Sequence, residues 1–304
     1  MKMGLLSAIL ADYSFEDMIA FAADQGFSCV EVACWPPGRA KRRYAGVSHI
    51  DVSHMTEEYA DHILDTCRRH QVAISSLAYY PNMMDHDPSV RRQNIDHLKK
   101  VIEASARLGI HMVTTFTGKD QEKTVEENMK LFREIWPPII RFAEEQKVRI
   151  AIENCPMLFD AGQWPGGQNL AATPSIWRQM FEAIDSPYLG INYDPSHCIW
   201  QMLDYIGIIY EFRDKIFHVH LKDIKLYPDR LKEVGTLAYP LEYMSPKLPG
   251  LGDIDWGKFI SALLDIGYDG YACIEIEDRA FEGSPERILD SIRQSAHYLR
   301  QFLC

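Results

Sequence analysis

Residues 217–223 read FHVHLKD. Their alternation puts His218, His220 and Lys222 on one side of an extended segment, and Phe217, Val219 and Leu221 on the other. A strand buried on both faces in a large protein is expected to be a run of Val, Ile and Leu. A half-exposed edge strand, polar side in water, gives the same alternation, so the rest of the chain must decide between solvent and a polar interior.

Outward from this stretch, strand-like and helix-like segments alternate along the chain, the pattern of parallel βα units. Strands are expected at 3–9, 28–33, 72–80, 110–116, 148–153, 188–194, 217–223 and 271–277. The first helix starts at Ser14, which has capping-box spacing to Asp17, and ends near Gly26. Further helices are expected at 56–70, 88–108, 121–147, 174–184, 201–213, 255–266 and 284–302, the fourth of the set bent or broken at Pro137-Pro138. Eight units predict an α/β fold of the (β/α)8 barrel class. No composition shift, linker or low-complexity tract divides the chain, so residues 1–304 are expected to form a single domain. The long connections 34–55, 154–173 and 223–254 each follow a strand, which places them on the face where barrel active sites sit.

A hydrophobic content of 47% with 25% charged residues argues for a folded chain over a disordered one. The formal charge of −11 argues against nucleic acid or an anionic membrane as partner, because phosphate contact needs clustered Lys and Arg. A small molecule is the expected partner. Seven scattered cysteines do not form a disulfide framework and point to a reducing, cytoplasmic setting. The apolar run GLLSAILA stops at Asp12 and reads as a first strand, not a signal peptide, and no stretch approaches a membrane span.

The parity test extends to the later strands. Glu153 lies opposite Ile150 and Ile152, while Asn192 and Asp194 lie opposite Ile191 and Tyr193. Cys273, Glu275 and Glu277 lie opposite Ile274 and Ile276. Glu153, Asp194, His220 and Glu275 are thus expected to converge at one rim from four consecutive strands. Three carboxylates desolvated together repel one another, and a divalent cation removes that difficulty. Oxygen-rich ligands with one imidazole suit Mn²⁺ or Mg²⁺, with Co²⁺ or Zn²⁺ as alternatives. His218, deeper on the same face, reads as a hydrogen-bonded core histidine.

IENCP at 152–156, NYDPSH at 192–197, HVHLKD at 218–223, PGLGDIDW at 249–256 and GYDGYACIEIED at 267–278 resemble, in that order, the xylose isomerase-like barrels. That superfamily includes sugar epimerases, inosose dehydratases and endonuclease IV. By this resemblance Glu153, Asp194, His220 and Glu275 match the metal ligands, and His197 matches a residue that binds a substrate oxygen. Glu153 and Glu275 inherit the catalytic proton exchange with a carbon next to a carbonyl, one from each face, through an enediolate held by the metal. The resemblance implies a metal-dependent sugar isomerase or epimerase acting on a carbohydrate, in a group where dimers and tetramers are common, so a homo-oligomer fits.

Departures narrow this reading. The segment PMLFD at 156–160 stands where ketose 3-epimerases carry another glutamate, and Lys222 and Lys225 stand where they place an arginine, which argues against a free ketose. TTFTG at 114–118 lacks the extra histidine that endonuclease IV needs, and no D-x-H follows His220. A lyase on a keto-sugar or inosose, of the dehydratase or C-glycoside-cleaving type, shares the first proton abstraction and would use Lys222 or His197 as acid. A non-catalytic sugar-binding protein is the third alternative. Trp35, Tyr44, Phe159, Trp164, Tyr227, Tyr239 and Tyr243 lie in the long connections, and Trp35 and Trp164 are the candidates for stacking on a sugar. RAKRR at 39–43 is either a hold on an anionic group or a solvated surface, and Asp253 and Asp255 argue against a phosphate cradle at PGLGD.

Overall fold

Strands β1 (Lys2–Leu6), β2 (Cys29–Ala33), β3 (Ala73–Ala78), β4 (Met112–Thr115), β5 (Arg149–Glu153), β6 (Leu189–Tyr193), β7 (Ile216–Leu221), β8 (Asp223–Leu226), β9 (Met244–Lys247) and β10 (Tyr271–Ile274) appear in a computed structural model. It describes residues 1–38, 44–158, 162 and 164–303. Eight of these strands close a parallel barrel in the order β1-β10-β7-β6-β5-β4-β3-β2, and β8 pairs antiparallel with β9 outside it. This is the expected (β/α)8 barrel. RAKRR at 39–43 and Phe159 lie outside the described residues.

The polar side of FHVHLKD faces the barrel interior. His218 and His220 are fully buried and Lys222 is 3% exposed, so the edge-strand alternative is excluded. The opposite parity, with Ile150, Ile191, Val219 and Ile274, packs in the core that also holds Trp136, Trp177 and Phe259 from the surrounding helices. At the barrel floor only glycine fits at position 4, because a Cβ there would lie 2.4 Å from Cys29 Sγ and 2.8 Å from Cys273 Sγ. The six cysteines among the described residues are free.

The surrounding helices are α1 (Phe15–Asp24), α2 (Glu57–His70), α3 (Pro88–Arg107), α4 (Val125–Glu145), α5 (Pro174–Ala183), α6 (Ser196–Trp200), α7 (Gly207–Glu211), α8 (Pro228–Val234), α9 (Trp256–Asp265) and α10 (Pro285–Leu299). Ser14 caps α1 by accepting the Asp17 amide, and Thr124 with Glu127 forms a full capping box on α4. Among the described residues no helix is long and apolar enough to cross a membrane.

Three expectations are corrected. The helix α4 runs through Pro137-Pro138 without a break. The carbonyls that lose helical partners belong to Arg133 and Glu134, which are exposed and reach water, while Trp136, Ile139 and Ile140 anchor the helix to the core. The segment 201–213 is not one helix. It starts after α6 and is helical only in α7, because Met202 takes a left-handed φ of 57° and the Asp204 carboxylate accepts the Ile206 and Gly207 amides in a turn. The long connection 223–254 contains β8, α8 and β9. Finally, the expected strands overrun the barrel. The ladder ends at Tyr193 and Ile274, and Asp194, Glu275 and Glu277 keep the alternation beyond it at the mouth.

Candidate active site

Glu153 closes β5, Asp194 follows β6, His220 lies in β7 and Glu275 follows β10, so four neighbouring strands supply one donor each. Their ligand atoms all lie within 4.8 Å of one another. The backbone of Asp194 is clamped by Asn154, whose Oδ1 accepts the Asp194 amide at 2.8 Å and whose Nδ2 donates to its carbonyl at 2.8 Å. The Ser196 amide donates to Asp194 Oδ1 at 2.8 Å. Asp194 Oδ2 is left without a hydrogen bond, and so is His220 Nδ1, although both are buried. His220 Nδ1 lies 3.1 Å from Glu275 Oε2 and 3.7 Å from Glu153 Oε1. Buried polar atoms without hydrogen bonds are costly, and two of them within one set of carboxylates fit a divalent cation.

The other nitrogen of His220 has a partner that the parity reading of the later strands does not reach. Nε2 donates to Glu31 Oε2 at 2.8 Å. Glu31 sits in β2 and is fully buried, and it also accepts from Tyr80 Oη at 2.5 Å and Thr114 Oγ1 at 2.6 Å. Burial pushes its carboxyl up, but His220 and His218 outweigh this and hold it down at about 2. The same alternation in SCVEVA, with Cys29, Glu31 and Ala33 on one side, is the signal that finds it. The pairing of β2 with β3 shifts register between Val30 and Glu31, where the carboxylate is aimed inward.

His218 is hydrogen-bonded in the interior. Nδ1 lies 2.9 Å from Asn192 Oδ1 and Nε2 lies 3.1 Å from Ser75 Oγ. Glu31, His218 and His220 also form a group close enough to hold an ion. The Glu31 oxygens, both His218 nitrogens and His220 Nε2 are occupied by protein hydrogen bonds, whereas the group at the mouth leaves Asp194 Oδ2 and His220 Nδ1 without one, and we assign candidacy to the latter.

Lys222 reaches into the mouth with its side chain 4% exposed. Its ammonium lies 2.9 Å from Glu275 Oε2, 3.0 Å from Asp194 Oδ2 and 3.3 Å from Glu277 Oε2. The contact to Asp194 is an ion pair without hydrogen-bond geometry. Burial pushes the Lys222 ammonium down, but Asp194, Glu275 and Glu277 more than offset this and keep it charged. His197, in α6, places Nε2 3.2 Å from Asp194 Oδ2 and 3.6 Å from Glu153 Oε1.

These groups line a cavity of about 240 Å³. Glu153, His197, Lys222, Glu275 and Glu277 form part of its wall, and Trp35, Tyr44 and Tyr239 are also in the lining. Trp164 is not. It packs edge-on against Trp200 at 6.3 Å and donates from Nε1 to the Leu237 carbonyl at 2.7 Å, outside the cavity wall. Tyr243 is buried with Trp200 and Ile224, Tyr227 is exposed, and Lys225 lies on β8 with its ammonium 5.8 Å from the Tyr227 ring.

Asp223 explains why HVHLKD and PGLGDIDW occur together. Its Oδ2 accepts from the Gly250 amide at 2.9 Å and from Trp256 Nε1 at 2.9 Å, and its Oδ1 accepts from the Ile254 amide at 3.2 Å. The loop therefore clasps a buried carboxylate of its own chain. Burial pushes the Asp223 carboxyl up despite these donors.

The Bacillus subtilis (strain 168) protein YfiH is 25% identical over 324 residues, covering 99% of each chain. An inosose dehydratase of Lactiplantibacillus plantarum is 27% identical over 125 residues, 39% of each chain. Among solved structures, D-psicose 3-epimerase from Clostridium cellulolyticum H10 superposes with a TM-score of 0.71 at 16% identity, over 100% of this chain and 99% of that one. A family model, the xylose isomerase-like TIM barrel, matches residues 19–302. With that match spanning nearly every unit of the barrel, the chain belongs to the xylose isomerase-like TIM barrel family.

Proposed function

We propose that the protein is a divalent-metal-dependent sugar isomerase or epimerase that moves a proton at the carbon beside a carbonyl. The observation that carries this is the pair Glu153 and Glu275, both lining the cavity and both within 3.7 Å of His220 Nδ1. Glu153, Asp194, His220 and Glu275 would hold the ion, Mn²⁺ or Mg²⁺ by the chemistry of three carboxylates and one imidazole. When bound, such an ion polarises a substrate carbonyl and makes the neighbouring C–H more acidic.

The residues of the chain supply the proton handling. One glutamate takes the proton as the C–H electron pair shifts toward the carbonyl. The other returns a proton to carbon from the opposite side, which inverts the centre. Burial pushes the Glu153 carboxyl up, but the neighbouring His197 and His220 side chains and the charge of Lys222 hold it below the usual range, so it is a carboxylate at neutral pH. His197 would bind a substrate hydroxyl, and the Trp35 face would lie along the ring. Proton NMR in D₂O with Mg²⁺ and a panel of ketoses, inososes and 3-keto-glucosides tests this. Incorporation of deuterium into a stereoisomer supports the reading, and its absence from every metal-loaded reaction refutes it.

A lyase reading is favoured by one feature, the buried Lys222 ammonium 2.9 Å from Glu275. After the same proton abstraction, the electron pair would expel a β-oxygen that takes its proton from Lys222, leaving a carbon–carbon double bond and water or an alcohol. The inosose dehydratase similarity supports this alternative. An unsaturated product or a freed aglycone in the same NMR experiment would select it.

A further inference from the structure

The mouth of the barrel is divided by polarity. Beside β5, β6, β7 and β10 the last inward side chains are Glu153, Asp194, Lys222 and Glu275, all charged. Beside β1, β2, β3 and β4 the corresponding residues are Leu6, Ala33, Ala78 and Phe116. These four line the cavity and, with Met157, belong to an apolar cluster separate from the main core. Tyr80 belongs to it too, with its hydroxyl donated down to Glu31 at 2.5 Å. Met157, from PMLFD, brings a further buried apolar side chain to this half.

Resting on the sugar reading of the site, we propose that the natural substrate is a glycoside: its keto-sugar ring lies over the charged half, and an apolar, ring-sized substituent lies over Leu6, Ala33, Ala78 and Phe116. Those four side chains offer no donor or acceptor. Hydroxyls of a free polyol held against them lose water without replacement, which disfavours binding. An aromatic or aliphatic aglycone there removes apolar surface from water on both sides of the contact.

The test uses methyl and phenyl β-D-glucopyranoside, which carry no carbonyl and cannot react, titrated into the metal-loaded protein by calorimetry. The phenyl glycoside is expected to bind about tenfold more tightly or better, from the ring surface buried. Phe116→Ala, which removes the largest of the four side chains, is expected to bring the ratio toward one. Leu6→Ala, in the same apolar half, is expected to lower it if Phe116→Ala does not fold. Equal affinities, or a ratio unmoved by the folded variants, overturn the glycoside inference while leaving deuterium incorporation in D₂O as independent support for the proton chemistry. Failure of both glycosides to bind overturns this inference together with the sugar reading.

Discussion

Glu31 Oε2 accepts a hydrogen bond from His220 Nε2 at 2.8 Å, and this one contact decides which imidazole nitrogen faces the cavity. With the proton held on Nε2, Nδ1 presents a lone pair among Glu153, Asp194 and Glu275. A carboxylate behind a ligating histidine fixes its tautomer and raises its basicity. Glu31→Gln keeps the size but weakens that hold. Its metal affinity, by calorimetric titration of the metal alone, is expected to fall roughly 10–100-fold. An affinity equal to that of the unmodified protein would refute the positioning role.

Glu153→Gln and Glu275→Gln remove the proposed bases. Each is expected to lower solvent-proton exchange by about a thousandfold or more, the scale of losing a general base together with a ligand. Full exchange in both variants, followed by NMR in D₂O, would contradict the assigned chemistry.

Asp223 is expected to matter for stability in place of catalysis. Its carboxylate accepts from the Ile224, Gly250 and Ile254 amides and from Trp256 Nε1, tying the start of β8 to the loop before α9 and to α9 itself. Asp223→Ala leaves those donors buried without an acceptor and is expected to cost about 2–4 kcal/mol in urea unfolding. A loss within experimental error would show that the loop is held by other contacts.

Acid sensitivity should come from His49 and His97. His49 Nδ1 lies 3.1 Å from Ser7 Oγ, which also accepts the Ala33 amide, and His49 Nε2 lies 3.1 Å from the Leu10 carbonyl. His97 donates to the Cys34 carbonyl at 2.8 Å. Burial lowers the pKa of both below the ordinary histidine value. The unfolded chain therefore binds protons first as pH falls below about 6.5, and stability is present above that pH and lost beneath it, by up to about 1.4 kcal/mol per pH unit per histidine. Urea unfolding between pH 5 and 7.5 should show a shallower slope for His49→Gln, and an identical slope would exclude His49 as a source.

Much of the barrel and the donor set was readable because period two carries two messages at once. Ile150, Ile152, Ile191 and Val219 identify the side that packs on helices, and the alternate positions then have to be Glu153, Asn192, Asp194 and His220. The same rule overstates strand length, since Asp194, Glu275 and Glu277 keep the alternation after the ladder has ended. Glu31 carries the signal but stands among apolar neighbours on a strand with no second charge. Trp164 carries none, because a loop has no period to say which way a side chain points. The turn at Asp204 that separates α6 from α7 depends on a side-chain contact to the backbone and leaves no mark on hydrophobic spacing.

The central claim is that Glu153, Asp194, His220 and Glu275 meet around one divalent ion. Elemental analysis of protein supplemented with Mn²⁺ or Mg²⁺ and then exchanged into metal-free buffer tests it most directly, alongside His220→Gln and Asp194→Asn. The account predicts about one ion per chain in the unmodified protein and a large loss in both variants. No retained ion in the unmodified protein, or full retention in both variants, would contradict it.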